Sequence, residues 1–342
     1  MTTAPPTPRP RAVTARAGTN IALVKYWGKR DAALNLPAAG SLSLTLAELG
    51  SQTRVSFAAA GANADAGDVV TLGDVPADPR FAARVSRFLD LVRGLAGIDD
   101  RAVVNTTNTV PTAAGLASSG SGFAALALAA SRAAGLDLPP STLSALARRG
   151  SGSAARSIFG GLCEMDAGVR ADGADAFARP LLGAADWDLR LVVALTAKGE
   201  KALGSTAAMD HTAATSPYHA AWIASVDGDL AAARAAIAAR DLARLGAVAE
   251  RSALRMHASA LAADPAILYW APATVAVLHA VRAARTHGLA AWATIDAGPH
   301  VKVLCRAGDA AQVAALLNAV PGVLGTLIAS PGDGASIIEV EP

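Results

Sequence analysis

The sequence predicts an α+β fold of two lobes, and three observations carry that reading. The chain of 342 residues is 52% hydrophobic and 17% charged, so it can fill a large core, and its length suits one large domain or two sharing a cleft at about 100–200 residues each. Strand-like and helix-like segments follow one another in irregular order rather than in strict alternation. Gly, Ala and Asp cluster around residues 167–188, the one boundary that composition suggests. The expected division is a disordered tail over 1–12, an N-terminal lobe over 13–187 and a C-terminal lobe over 188–342.

The elements follow in order. Residues 13–25, 43–46 and 53–57 have strand patterning. Residues 78–95 place Phe81, Val85, Phe88, Leu89 and Val92 on one helical face. The β-branched stretch 102–107 reads as a strand leading into the small-residue loop Pro111–Gly122. The Ala/Leu run 123–134 is apolar nearly all round and therefore a buried helix. A helix over 141–149 precedes the glycine-rich turn 150–153, and 189–195 is a strand. Helices are expected at 201–211, 217–240, 242–261 and 273–287, then strands at 291–296 and 301–306 about Gly298-Pro299. A helix over 309–320 and a strand over 337–340 close the chain.

Composition excludes several classes. The longest apolar run, residues 123–130, falls far short of the roughly 20 residues of a bilayer span. The first eleven residues are rich in Pro, Thr and Arg and lack the apolar core of a secretory signal. Lys and Arg total 30 against 28 Asp and Glu and form no basic block, which argues against a nucleic-acid partner. Cys163 and Cys305 each sit among apolar residues and are expected to be buried thiols, which fits a cytoplasmic location. Six scattered histidines make no metal-ligand cluster.

The loop Pro111-Thr-Ala-Ala-Gly115-Leu116-Ala117-Ser118-Ser119-Gly120-Ser-Gly122 lies between a strand and a helix. Small residues let backbone N–H groups approach a ligand, Gly115 can take positive φ, and the helix N-terminus attracts an anion. No Lys follows the glycines, so it is neither a Walker A loop nor a dinucleotide fingerprint. This loop resembles the second motif of the GHMP kinase superfamily. Three more segments narrow the likeness: Asn20-Ile-Ala-Leu-Val-Lys25-Tyr26-Trp27-Gly28-Lys29-Arg30-Asp31, Gly150-Ser-Gly-Ser153-Ala-Ala-Arg156-Ser157, and Asp296-Ala-Gly-Pro299. In that order they resemble the diphosphomevalonate decarboxylase branch.

The resemblance implies a ribosomal protein S5 domain 2-like N-terminal lobe and a ferredoxin-like C-terminal lobe. It implies ATP bound by Gly115, Leu116, Ala117, Ser118, Ser119 and Gly120, with Mg2+ bridging its phosphates and Ser119 a candidate ligand. The implied reaction phosphorylates the C3 hydroxyl of (R)-5-diphosphomevalonate, then loses phosphate and CO2 to give isopentenyl diphosphate. Asp296 would accept or orient the hydroxyl proton, Arg156 would hold the carboxylate, and Lys25 would stand beside both Asp296 and the C3 oxygen. Tyr26, Lys29 and Ser153 would bind the diphosphate, Ser205 would make a further substrate contact, and a homodimer is implied.

Each assignment has a plainer counterpart. An Asp before Ala-Gly-Pro is ordinarily a turn residue, and Arg156, Lys25 and Lys29 could lie on a solvated face. Trp27 and His257 read as packing residues. The sequence departs from the family pattern at Ala39 and Gly40, where Asn and Ser are usual, and at His300, where Asn is usual. Two alternatives stay open on the residues alone. One is a sibling that stops at phosphorylation or acts on mevalonate or its 5-monophosphate. The other is a non-catalytic nucleotide-sensing or regulatory homologue.

Overall fold

The computed structural model describes residues 9–57, 67–109, 118–199 and 203–342. The first lobe opens with β1 (Ala12–Val24), the short pair β2 (Lys29–Asp31) and β3 (Leu36–Pro37), and the long strand β4 (Ser41–Phe57). It continues through β5 (Val69–Leu72), β6 (Val75–Pro76), α1 (Pro79–Ala96), β7 (Ala102–Asn108), α2 (Ser118–Ala133), α3 (Pro140–Gly150), α4 (Ala154–Ser157), β8 (Leu162–Met165) and β9 (Ala178–Leu182). The second comprises β10 (Leu189–Leu195), α5 (Ser205–Thr215), α6 (His219–Ala238), α7 (Leu242–Leu261), α8 (Pro272–Thr286), β11 (Trp292–Ile295), β12 (Val301–Arg306), α9 (Ala310–Asn318) and β13 (Gly325–Ala329). The last strand is β14 (Ser336–Glu341).

These elements stack in layers. One sheet runs β14-β1-β4-β7-β5-β6, with β8 joined to β4 and β9 to β8; the other runs β11-β12-β10-β13. Helices α1, α2 and α3 bury Val85, Phe88, Leu89, Phe123 and Leu146 against one face of the first sheet. Helices α6 and α7 lie between the two sheets, where Trp222, Leu230, Leu245 and Met256 meet Leu23 and Leu44 from one side and Leu191 and Leu304 from the other. Helices α8 and α9 cover the far face of the second sheet through Val277, Val281, Val313 and Leu317. The α+β class and two lobes expected from the sequence are what the chain adopts.

Strand β1 shows how patterning places the site. Val13, Ala15 and Ala17 face the core under α1–α3, whereas Ile21 and Leu23 face the core between the sheets. Alternation would keep all five on one side. The pairing with β4 shifts register between Gly18 and Asn20, and such an irregularity swaps the faces. Asn20 is thereby turned toward Ser153 and Arg156.

Several boundaries differ from expectation. Strand β4 is continuous where two strands were expected, because β1 pairs along both parts of it. Helix α2 begins at Ser118, five residues early, and its glycines let the first turn pack closely: a Cβ on Gly120 would stand 3.0 Å from Ser153 Oγ. Helix α5 begins after Gly204 and reaches Thr215, ending before Ser216-Pro217, since the residue preceding a proline disfavours the α region. The expected tail is tied down from Arg9, which pairs with Asp100 at 2.6 Å, and Arg11 N–H donates to Glu341 O at 2.9 Å. Strand β14 returns to pair with β1, so the end of the chain completes the first sheet rather than the C-terminal lobe.

Candidate active site

A cleft of about 1500 Å³ opens between the lobes. It is lined by Asn20, Lys25, Tyr26, Lys29, Ser119, Gly120, Ser153, Arg156, Ser205 and Asp296, so the structure brings most of the residues singled out in the sequence into one cleft. Gly115, Leu116 and Ala117 lie outside the described residues, as does the side chain of Ser118.

Lys25 follows the end of β1, and its backbone N–H donates to Ser252 Oγ of α7 at 3.0 Å. Its ammonium, only 2% exposed, donates to Ala22 O and to Asp296 Oδ1, both at 2.7 Å. Asp296 follows β11, and its second oxygen lies 3.2 Å from Lys302 Nζ. Burial pushes Lys25 down to about 8, against the opposing pull of Asp296. Burial alone would raise the Asp296 carboxyl, but Lys25 and Lys302 hold it well below the usual carboxylate range, so it stays ionised.

Arg156 sits in the short helix α4 and is 2% exposed. Its Nε and Nη2 donate to Asn20 Oδ1 at 3.2 and 3.1 Å, Nε also to Ser43 Oγ at 3.1 Å, and Nη1 to Ser41 Oγ at 2.5 Å. Among the described residues no carboxylate comes within 4.0 Å of it. A buried guanidinium held only by neutral oxygens lacks the counter-charge that normally offsets its desolvation. It still has N–H donors to offer. Asn20 locks the arrangement by donating to Ser153 O at 2.9 Å and Ser157 Oγ at 2.8 Å.

The turn 150–153 is glycine-rich because its neighbours leave no room. A Cβ on Gly150 would lie 2.1 Å from the Phe123 ring, and one on Gly152 would lie 2.3 Å from Tyr26 Oη. The Tyr26 hydroxyl is buried without a hydrogen-bond partner among the described residues, as is Arg149 Nε on the same wall. Burial pushes the Tyr26 phenol up to about 12, which keeps it a donor. Lys29, half-buried on β2, is lowered by burial while Asp210 pulls it back up. Arg84 of α1 donates to Gly150 O at 2.7 Å and lies over the Phe123 ring. Arg80, Arg84, Arg87 and Arg149 join Lys25, Lys29 and Arg156 in lining the cleft, against only Asp210 and Asp296 among the described residues. That excess of cations suits a polyanion.

Asn20, Arg84, Arg149 and Lys302 were not singled out from the sequence. Asn20 is the first residue of the Asn20–Asp31 motif, and a polar amide at the head of an apolar run is the signal that marks it. The other three are arginines and a lysine in ordinary helix and strand patterns, and only the fold turns them inward. The departures also find a setting. A Cβ on Gly40 would meet Leu230 of α6 at 2.7 Å, so the glycine allows that helix to close on the turn. His300 Nδ1 accepts from Thr196 N–H at 3.1 Å and tethers the turn after Asp296 to β10. Trp27 packs edge-on to Tyr269, His257 packs against Trp270, and both cysteines are free and buried.

Comparison with known proteins gives a consistent pattern. Residues 17–178 match the family model for the diphosphomevalonate decarboxylase-like N-terminal domain, and residues 191–326 match that for the mevalonate 5-diphosphate decarboxylase C-terminal domain. The chain is 36% identical to diphosphomevalonate decarboxylase of Aspergillus fumigatus, over 90% of this chain and 80% of that protein. Among solved structures, mevalonate diphosphate decarboxylase of Staphylococcus aureus is 37% identical with a TM-score of 0.90, covering 96% of this chain and 98% of the other. The complex of MDDEF with MVAPP, AMPPCP and magnesium is 39% identical with a TM-score of 0.88, covering 96% and 99%.

Proposed function

The chain belongs to the diphosphomevalonate decarboxylase family, and from that premise we propose how its cleft carries out the ATP-dependent decarboxylation of (R)-5-diphosphomevalonate to isopentenyl diphosphate. The observation that carries the proposal is the pairing, in one cleft, of an ionised aspartate clamped by lysines with a buried arginine that has no carboxylate partner among the described residues. Arg156 takes the C1 carboxylate of the substrate through its remaining N–H donors. Asp296 accepts the C3 hydroxyl proton in a hydrogen bond and aims the oxygen. Lys25 neutralises charge developing there.

Tyr26, Lys29, Ser153, Arg84 and Arg149 hold the 5-diphosphate, and Ser205 closes on the substrate from α5. The orphaned Tyr26 Oη and Arg149 Nε are donors of the kind that phosphate oxygens satisfy. ATP with Mg2+ supplies the phosphoryl group that converts the C3 oxygen into a leaving group. The C3–O pair then departs with phosphate, the C1–C2 pair becomes the C2–C3 double bond, and CO2 leaves. For the nucleotide, Ser119 and Gly120 line the cleft at the N-terminal turn of α2, and the positive end of a helix suits phosphate. Mg2+ needs few protein ligands when phosphates and waters supply most of them. Among the described residues no His, Cys, Asp or Glu cluster could hold a metal, and Ser119 is a candidate ligand from the cleft wall.

A cytoplasmic homodimer belongs to the same proposal, the dimer read from the family resemblance and the location from the two buried free thiols. Among the described residues no helix is long and apolar enough to cross a membrane. The test is to offer mevalonate, its 5-phosphate and its 5-diphosphate with ATP and to measure ADP and CO2 for each. The diphosphate should give the highest kcat/KM and release both. Release of ADP without CO2 would overturn the decarboxylase reading.

A further inference from the structure

Strand β12 carries a charge where its pattern calls for an apolar side chain. Val301, Val303 and Cys305 face the core beneath α8 and α9, while Leu304 faces the core between the sheets. Lys302 shares the face of Leu304, with Val193 and Thr294 as its cross-strand neighbours. It is 5% exposed. An ammonium is among the costliest groups to bury, and a methionine of similar length would suit this face better. Lys302 Nζ reaches Asp296 Oδ2 at 3.2 Å and His300 O at 3.4 Å. It is not among the residues lining the cleft; it stands behind the carboxylate.

We propose that Lys302 is a positioning residue for the decarboxylation, fixing the Asp296 carboxylate from behind through Oδ2 while Lys25 holds Oδ1 at 2.7 Å on the cleft side. This rests on the reading of Asp296 given above. With both oxygens anchored, the carboxylate plane cannot swing, and the lone pairs facing the cleft stay aimed at the C3 hydroxyl. Two ammoniums on one carboxylate also leave the pocket net positive, which favours the anionic substrate and the charge transferred to C3 oxygen. The charged or titratable groups facing this carboxylate are Lys25 at the end of β1, Lys302 on β12, Arg156 on α4 and His257 on α7. Lys302 is also one of the groups lowering Lys25 toward about 8, so removing its charge moves the alkaline limb of the rate profile upward.

The test is a pH profile of kcat and KM for wild type, Lys302→Met, Lys302→Gln and Lys302→Arg with ATP and 5-diphosphomevalonate, together with the double variant Asp296→Asn/Lys302→Met. Lys302→Met should lower kcat about tenfold or more, leave KM within about threefold, and move the alkaline limb, expected near pH 8 in wild type where Lys25 loses its proton, upward. Lys302→Gln should do the same if the methionine chain fails to fold, and Lys302→Arg should restore part of kcat and the original limb. In the double variant the Lys302 change should cost little beyond Asp296→Asn alone, because one acts through the other. A kcat within about threefold of wild type, or a loss of kcat with an unmoved limb in both neutral variants, would overturn the proposal. Should Asp296→Asn retain wild-type turnover, it is the underlying assignment of Asp296 that fails, a result separate from the Lys302 series.

Discussion

Replacing Asp296 by asparagine keeps the side chain's shape and removes its charge. The carboxylate accepts from Lys25 at 2.7 Å and from Lys302 at 3.2 Å. An amide has one oxygen for this work, and its NH2 group would meet the other ammonium donor to donor. The substitution therefore frees one lysine, turns the side chain, and takes away the acceptor proposed for the C3 hydroxyl. Loss of a positioned proton acceptor costs about 10²–10⁴ in rate, or about 2.7–5.4 kcal/mol of barrier. The accompanying loss of stability falls below the about 3–5 kcal/mol seen when a fully buried pair is broken, because the Asp296 side chain is 30% exposed. The assay is steady-state ADP release at saturating ATP, with KM for 5-diphosphomevalonate measured alongside and a thermal melt to establish folding. The expected outcome is a folded protein with KM nearly unchanged and kcat down at least about a hundredfold. A kcat within about tenfold of wild type, only ~1.4 kcal/mol, would refute the assignment.

Other substitutions read different parts of the site. Arg156→Lys keeps the charge but cannot span Asn20, Ser41 and Ser43 and still face a carboxylate; kcat/KM should fall about a hundredfold, ~2.7 kcal/mol, and a value within about threefold would count against the carboxylate-holding role. Tyr26→Phe removes a hydroxyl that has no partner among the described residues; the melting temperature should hold while KM for the diphosphate rises about tenfold, as for a hydrogen bond to a charged group, and the opposite pattern would assign Tyr26 to packing alone. His257 is 2% exposed, and burial, with Lys25 nearby, lowers its pKa from 6.5 to about 4. The unfolded chain takes up that proton first as pH falls, so stability drops between those values by about 3 kcal/mol. Denaturant melts across that range should show a shallower loss for His257→Gln, and an identical slope would contradict the buried neutral imidazole.

What could be read from the chain depended on whether the cause was local. Helix α7 was legible to the residue because a full amphipathic pattern runs from Asp241, which caps Arg244 N–H, to Leu261. Helix α1 likewise shows its buried face and its Asp78 cap. Asp296, Arg156 and Lys25 stand in distinctive motifs, and the fold brings them together. Strands β2, β3, β5 and β6 span only two to four residues each and exist through their partners, so no periodicity marks them. The return of β14 to β1 is a long-range pairing that no local pattern records. Lys302 is the clearest case: two residues past His300 it reads as one charge in a strand, and only the register that sets it opposite Thr294 turns it toward Asp296.

In the proposed reaction this cleft uses ATP to turn a carboxylate-bearing tertiary alcohol into an alkene. The most direct measurement follows ADP, inorganic phosphate and CO2 together while the enzyme consumes 5-diphosphomevalonate. The three should appear in equal amounts throughout, with isopentenyl diphosphate as the organic product. ADP formed without matching CO2, leaving a stable phosphorylated product, would contradict it.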